Sequence, residues 1–328
     1  MRDPGLYLAA ARQALKAFPI DSDVVEPLAL GENAVFRVLD TQGGASFVLR
    51  LHRPGYHTLE ELDSERAWTG ALNDAGISAP NGVRACDGGW YVSVPTPDPG
   101  GGRLAGVTAW TEGEILSDVV DRDEAAATPA HFARLGEFIA RLHNQASRWS
   151  PPAGFSRHNL DKDGLVGEAP FWGRFWESRL LSPQERRIAT AARGRIAERL
   201  LAMGKTSDCF GLIHADLHPG NVLIDAGRLS VIDFDDAAFG WHGFDLAVAL
   251  FYAWARSDFP ALRDAFLDGY AKRRRPIEGL EQDLPLFLLL RGLMLIGWRD
   301  QRPELDPKPY MGAWKARLMT ECELLLAE

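Results

Sequence analysis

The stretch from residue 213 to 236 constrains this chain more than any other. It reads Ile-His-Ala-Asp-Leu-His-Pro-Gly-Asn-Val-Leu-Ile-Asp-Ala-Gly-Arg-Leu-Ser-Val-Ile-Asp-Phe-Asp-Asp. Two short apolar runs, Val222–Ile224 and Leu229–Ile232, flank the glycine-bearing turn Asp225-Ala226-Gly227-Arg228, the pattern of a β-hairpin. A polar loop, His214–Asn221, enters the hairpin, and Asp233, Asp235 and Asp236 follow it. In an antiparallel pair, the residue before the first strand lies beside the residue after the second. Asn221 and Asp233 are therefore expected side by side, with Asp216 on the entering loop. Two carboxylates and an amide oxygen should converge at one end of a hairpin.

Phosphoryl transfer from ATP calls for such a set. A carboxylate orients the attacking hydroxyl, and hard oxygen ligands hold Mg²⁺ against the nucleotide phosphates. The spacing His214-x-Asp216-x-x-x-x-Asn221 has the frame of the protein-kinase catalytic loop, and Asp233-Phe234-Asp235 stands where those enzymes carry Asp-Phe-Gly. The competing reading is a surface hairpin with acidic ends, because Asp and Asn favour turns in any case.

The departures from protein kinases form a pattern of their own. His218 replaces the loop lysine, Gly220 precedes the asparagine, and Asp235 replaces a glycine. His-x-Asp-x-His-x-x-Asn followed by Ile-Asp-Phe-Asp-Asp resembles the aminoglycoside phosphotransferase and choline kinase-like superfamily. Its bacterial stress-response-kinase and homoserine-kinase types are the most similar branches. The resemblance spans roughly residues 25–300 and is specific at this core. It implies ATP-dependent enzymes with a protein-kinase-like fold. In that frame Asp216 is the base or hydroxyl-orienting residue, and Asn221 and Asp233 bind Mg²⁺. Asp235 is available for metal or substrate, and His218 sits near the transferred phosphoryl group. His214 and Asp245 support the loop, Asp245 by accepting its backbone N–H groups.

With 328 residues, 46% of them hydrophobic, the chain can build a substantial core in two lobes. A net charge of −9 argues against nucleic acid or an anionic membrane as the main partner. Cys86, Cys209 and Cys322 form no C-x-x-C pair, so a reducing cytoplasm is expected. Met1–Phe18 reads as an amphipathic helix through Leu6, Ala10, Leu15 and Phe18, without the apolar core of a signal peptide. The apolar run Leu284–Trp298 is interrupted by Arg291 and too short to span a bilayer; it is expected to be a buried helix.

From Val24 to His52 the period is two, predicting strands over Val24–Leu30, Ala34–Asp40 and Ala45–His52. The first connection, Gly31-Glu32-Asn33, would cover nucleotide phosphates in a kinase-like lobe; an ordinary hairpin turn explains it equally. No lysine occurs between Lys16 and Lys162, yet phosphates require a cation. Arg50, on the less apolar face of the third strand, is the candidate. Leu59–Ala75 reads as a helix with Leu62, Trp68 and Leu72 on one stripe. Glu65 shares that stripe, and a carboxylate on an apolar face needs a cation. Arg50 is its expected partner, with Glu61 a less central competitor for that role. Gly82–Asp87 and Trp90–Val94 suggest a hairpin, and Pro95–Arg103 a flexible loop. Ala105–Trp110 should be the last strand of the lobe, leading into a hinge at Thr111–Glu114, where Trp110 and Glu112 would lie near adenine.

Beyond the hinge the periodicity is helical: His131–Gln145, Phe259–Lys272, Leu280–Trp298 and Lys308–Leu326. Residues 150–170 read as loop, His143 as a structural histidine at a helix end. Trp172, Phe175 and Trp176 read as core or pocket wall. The expected fold is α+β and bilobal: an N-terminal helix at 1–19, a nucleotide-binding lobe of antiparallel strands with one helix at 20–112, and a mainly helical lobe at 113–328 carrying the catalytic loop and hairpin. The expected function is transfer of the γ-phosphoryl group of ATP, with Mg²⁺, to a hydroxyl acceptor. That acceptor is a small molecule (amino alcohol, sugar or aminoglycoside-like) or a serine or threonine of a protein. A nucleotide-binding regulatory protein without turnover is the third reading, and the intact Asp216, Asn221 and Asp233 speak against it.

Overall fold

Alternation of buried and exposed side chains decides the first half of the chain. In a computed structural model, which describes residues 4–98, 100–122, 128–275, 278–303 and 311–328, this half forms one antiparallel sheet. Its strands are β1 (Val24–Leu30), β2 (Ala34–Leu39), β3 (Ser46–Leu51), β4 (Gly82–Val83), β5 (Tyr91–Pro95) and β6 (Gly102–Ala109), in the order β1-β2-β3-β6-β4 with β5 also on β6, and the alternation is clearest in β2. Ala34, Phe36 and Val38 of β2 and Leu49 and Leu51 of β3 turn to one face. There they meet Ala10, Ala11, Ala14 and Leu15 of helix α1 (Leu8–Leu15) in a common core. Pro27, which cannot donate to a ladder, sits in the edge strand β1 beside a bulge. The opposite face carries Arg50, in register with Val35 and Gly106, and Tyr91, also in register with Gly106. A side chain at 106 would collide with the Tyr91 ring at 2.5 Å. Helix α2 (Leu59–Asp74) lies on this face, because the Tyr91 hydroxyl donates to the Leu62 carbonyl at 3.2 Å. Thr58 and Glu61 cap it reciprocally.

The chain divides into two compact units: residues 1–114, 150–156 and 223–233, and residues 115–149, 157–222 and 234–328. The first unit thus includes most of a hairpin contributed from far along the sequence, β10 (Val222–Asp225) and β11 (Arg228–Val231). Ala226 and Gly227 both take positive φ in its turn, as a type I′ hairpin requires. Ser78, just beyond α2, is bridged by Ser230 through their hydroxyls at 2.8 Å, and its carbonyl accepts the Val231 N–H at 3.0 Å. β7 (Glu114–Ile115), where the chain leaves this unit, runs beside β10.

The second unit is mainly helical: α3 (Leu116–Arg122), α4 (Thr128–Arg148), α5 (Lys162–Val166), α6 (Pro183–Met203), α7 (His242–Phe251), α8 (Phe259–Ala271), α9 (Leu280–Asp300) and α10 (Met311–Ala327). Its small sheet places β12 (Ala238–Trp241) between β8 (His158–Leu160), parallel, and β9 (Phe210–Ile213), antiparallel. Helices α4 and α8 approach backbone to backbone. A Cβ on Gly136 would lie 2.0 Å from the Phe266 carbonyl oxygen, and one on Gly269 1.9 Å from that of Ala133. Among the described residues no helix is long and apolar enough to cross a membrane.

Several expectations differ in detail. Leu6 is exposed, and Tyr7 and Ala11 take its place in the core. The segments around Gly88-Gly89 share a turn, in which the Ala85 N–H donates to the Gly89 carbonyl at 2.8 Å, but their strands β4 and β5 each pair with β6. The loop expected at 95–103 ends in strand β6 and is tied down, because Arg103 is buried between Asp98, the Tyr7 hydroxyl and the carbonyls of Glu32 and Leu51. Residues 150–170 contain β8 and α5, the latter capped by Asp161. Helices α3 and α6 had no counterpart in the periodicity reading. Trp172, Phe175 and Trp176 are buried core. Residues 308–310 of the helix expected from Lys308 lie outside the described residues.

Candidate active site

In the second unit, the loop from His214 to Asn221 leaves β9 on a strained path. Ala215, fully buried, adopts φ +65°, a conformation costly for a residue with a Cβ and one that persists only when its surroundings hold it. Asp245, near the start of α7, does the holding. Its Oδ1 accepts the Ala215 N–H at 2.8 Å and its Oδ2 the His214 N–H at 3.2 Å. Asp245 in turn meets His143 Nε2 at 3.1 Å, and His143 Nδ1 lies 2.9 Å from the Tyr270 hydroxyl. Beside a carboxylate Nε2 is the donor, and in the neutral ring this leaves Nδ1 to accept from the tyrosine hydroxyl. Burial pushes the His143 pKa down despite Asp245. Burial also opposes ionisation of Asp245, yet the hydrogen bonds from His143 and Ala215 bring its pKa below the usual carboxylate value. His242 stacks on His143 at 4.4 Å, and burial drives its pKa down to about 2.

Asp216 follows the strained alanine. Its backbone carbonyl and Oδ2 accept Asn221 Nδ2 at 2.9 and 3.1 Å, and its N–H donates to His214 Nδ1 at 3.3 Å. The amide nitrogen of Asn221 is therefore engaged, which leaves its oxygen as the atom for a ligand. His218 caps the short turn at Pro219–Asn221 by accepting the Gly220 N–H at Nδ1, 3.0 Å. Its Nε2 lies 3.7 Å from Asp216 Oδ2, and its ring meets Tyr252 edge-on at 5.1 Å. Asp216 Oδ1 accepts from Arg291 Nη2 of α9 at 2.5 Å. The acidic turn after the hairpin is gathered by Arg157, whose guanidinium donates to the carbonyls of Phe234, Asp235 and Ala237 at 3.1, 2.6 and 2.6 Å. Asp235 itself is buried. Phe234 is buried against the His214 ring at 4.6 Å.

In the first unit, Asp233 ends the hairpin segment with φ +64°, left-handed like Ala215 and Ala226. Its Oδ1 accepts Arg50 Nη1 at 2.8 Å, with the two side chains 40% and 20% exposed. Glu65 is buried on α2 and lies 3.4 Å from Arg66 Nη2, while Arg66 Nε donates to the Tyr91 hydroxyl at 2.9 Å. Arg50 is close enough for its charge to act on Arg66. At the turn between β1 and β2, Asn33 Oδ1 accepts the Arg53 N–H at 2.9 Å, and Glu32 pairs with the Arg53 guanidinium. Trp110 carries the Arg37 guanidinium 4.6 Å over its ring, and Glu112 is exposed.

Within the second unit the structure thus brings Asp216, His218, Asn221 and His214 together, with Asp245 beneath them. Within the first it brings Arg50 to Asp233 and places Glu65 beside Arg66. Arg291, Arg157 and Arg66 were not singled out as site residues by sequence reasoning. Arg291 did leave a signal, a lone cation interrupting an apolar run.

The phosphotransferase enzyme family matches residues 24–280 of the chain. The amicoumacin kinase of Bacillus subtilis is 24% identical over 305 residues, covering 90% of this chain and 85% of its own. Among solved structures, a microcompartment-associated aminopropanol kinase shares 29% identity at a TM-score of 0.82, covering 97% and 96% of the two chains. An amicoumacin kinase in complex with AMP-PNP and Ca²⁺ shares 21% at 0.78, covering 96% and 92%; at that identity the likeness concerns the fold, which is α+β and kinase-like. The family match runs from the first residue of β1 to the first residue of α9, and the chain belongs to the phosphotransferase enzyme family.

Proposed function

We propose that this enzyme moves the γ-phosphoryl group of ATP to a hydroxyl of a small molecule, an amino alcohol foremost, with Mg²⁺ as its metal. The observation that carries this reading is the dressing of Asp216: each carboxylate oxygen has one donor, Arg291 or Asn221, and each keeps a lone pair for another. The structural likeness to an aminopropanol kinase favours an amino alcohol over a sugar. An ATP-fed reaction suits a cytoplasmic setting.

The donor set suits a hard divalent cation. Asp233 is a half-exposed carboxylate with one oxygen on Arg50, and Asn221 has only its amide oxygen left to offer. These two residues would hold Mg²⁺, which neutralises phosphate charge when bound. Arg50 serves the nucleotide phosphates as the cation of the first unit, and Glu65 anchors the basic side chains around it. Asp216 orients the acceptor. The hydroxyl oxygen forms its bond to the γ-phosphorus as the bond from that phosphorus to the ADP oxygen breaks, and the hydroxyl proton passes to the Asp216 carboxylate. Close placement matters more than basicity here, since phosphoryl transfer is chiefly positioning and charge stabilisation.

The test is an ADP-release screen with Mg²⁺-ATP over aminopropanol, ethanolamine, choline, L-homoserine, sugars, aminoglycosides and a generic protein substrate. The expected result is acceptor-dependent ADP formation with a phosphate monoester on a small amino alcohol. Phosphate appearing on the protein substrate alone would overturn the acceptor class.

A further inference from the structure

Helix α9 buries one charged side chain in an otherwise apolar stretch. Arg291 is 4% exposed and lies between the fully buried Leu290 and Leu293. A buried charge is expensive, and a hydrophobic residue of similar volume commonly leaves a protein equally or more stable. Satisfying its own donors does not explain its presence, because the buried Nε has no hydrogen-bond partner among the described residues. Burial works against its charge, and Asp216 first, then Tyr252 and Asp236, more than offset this. Its direct contact is the 2.5 Å bond from Nη2 to Asp216 Oδ1.

That contact acts on the orientation of a carboxylate. Asn221 Nδ2 holds Oδ2 at 3.1 Å, while Arg291 holds Oδ1 from a different element, 75 residues away in sequence. Two donors on opposite oxygens fix the plane of the carboxyl group, since rotation about its last side-chain bond would break at least one of them. Asp216 is 23% exposed at its side chain, so without the clamp water would compete for Oδ1 and the carboxylate would turn.

We propose that Arg291 is a positioning residue for phosphoryl transfer: it clamps Oδ1 of Asp216 so that the free lone pairs of the carboxylate face the incoming hydroxyl. The proposal rests on Asp216 being the hydroxyl-orienting residue. A merely structural guanidinium, tying α9 to the loop, would show itself in stability instead of turnover.

The experiment compares wild type, Arg291→Met, Arg291→Lys, Asp216→Asn and the Asp216→Asn/Arg291→Met double variant. The readouts are ADP formation with aminopropanol as acceptor, Mg²⁺-ATP hydrolysis with water as acceptor, calorimetric Mg²⁺-ATP affinity and Tm. In Arg291→Met, kcat is expected to fall about 10²-fold, the scale of a misplaced reacting group. Mg²⁺-ATP affinity should stay within about twofold, and Tm should hold or rise, as it does when buried charges become apolar. Arg291→Lys should recover part of the lost rate, and so should guanidinium ion added to Arg291→Met below denaturing concentration. The double variant should be no slower than Asp216→Asn. Wild-type kcat in Arg291→Met beside an inactive Asp216→Asn would overturn the clamp alone. So would a lowered Tm with unchanged kcat, or a loss that adds in full to that of Asp216→Asn. Wild-type kcat in Asp216→Asn would overturn the reading of Asp216 and the clamp with it.

Discussion

Two non-glycine residues with left-handed backbone, Ala215 and Asp233, flank the chemistry proposed for this chain, one just before Asp216 and the other a proposed metal ligand. Strain of this kind costs on the order of 1–3 kcal/mol per residue and clusters where geometry serves function. At Asp233 the two effects can be separated, because glycine adopts φ +64° without a Cβ penalty. Asp233→Gly should therefore keep its Tm while losing at least about tenfold in Mg²⁺-ATP affinity, the scale on which disturbing a metal's surroundings acts. Titration calorimetry checks this, and unchanged affinity would remove Asp233 from the metal site. The candidate residues Asp216, Asn221 and Asp233 were legible in the sequence as a set because they lie on one continuous stretch. Their partners were not: Arg291 is 75 residues from Asp216, and Arg157 is 77 from Phe234. No local period announces a pairing across such distances. Glu65 stands out in the sequence as a charge on an apolar stripe, whereas Arg66, next to it, gives no sign of being its neighbouring cation, because adjacent residues on a helix do not face each other.

Elements were legible in proportion to their periodicity. β2 and the second half of β3 alternate and α2, α4 and α9 carry broad apolar stripes, so their boundaries emerge within a few residues of those observed. Helix α6 buries only Ala189, Ala192, Ile196 and Leu200, a stripe half made of alanines that hydropathy scarcely registers. Its one clear announcement is local: Ser182-Pro-Gln-Glu185, a capping box with proline in the first turn. Ser182→Ala should accordingly cost about 1 kcal/mol, read as a lower midpoint in urea with an unchanged slope. An unchanged midpoint would mean that the helix start is held by its tertiary contacts alone. β8 and β12, three and four residues long, are strands because they pair with one another, and no alternation over so few residues distinguishes them from loop.

At the scale of the molecule, the α+β class followed from the switch of period between the two halves, from two to 3.6. That residues 223–233 belong with the first compact unit is a tertiary fact which a reading along the chain misses. The buried group under the loop from His214 to Asn221 also makes stability depend on pH. His143 and His242 have folded pKa values below the ordinary 6.5, so below pH 6.5 the unfolded chain binds protons that the folded chain does not. Stability should fall as pH drops through 6.5, by up to about 1.4 kcal/mol per pH unit for each histidine. Asp245, whose folded pKa is depressed, adds a further loss as pH falls below 3.8. Tm measured from pH 8 to 4 should decline from about 6.5 downward; a flat profile to pH 5 would mean that the pair takes up protons in the fold as readily as in the unfolded chain. The central claim, hydroxyl-directed phosphoryl transfer through Asp216, is tested most directly by ³¹P NMR of Mg²⁺-ATP with the acceptor panel. Asp216→Asn is run beside wild type, with calorimetric nucleotide affinity for both. Wild type should convert ATP to ADP and a phosphate monoester, while the variant binds Mg²⁺-ATP as tightly and turns over about 10²–10⁴ times more slowly. A variant that keeps the wild-type rate with the same acceptor would contradict it.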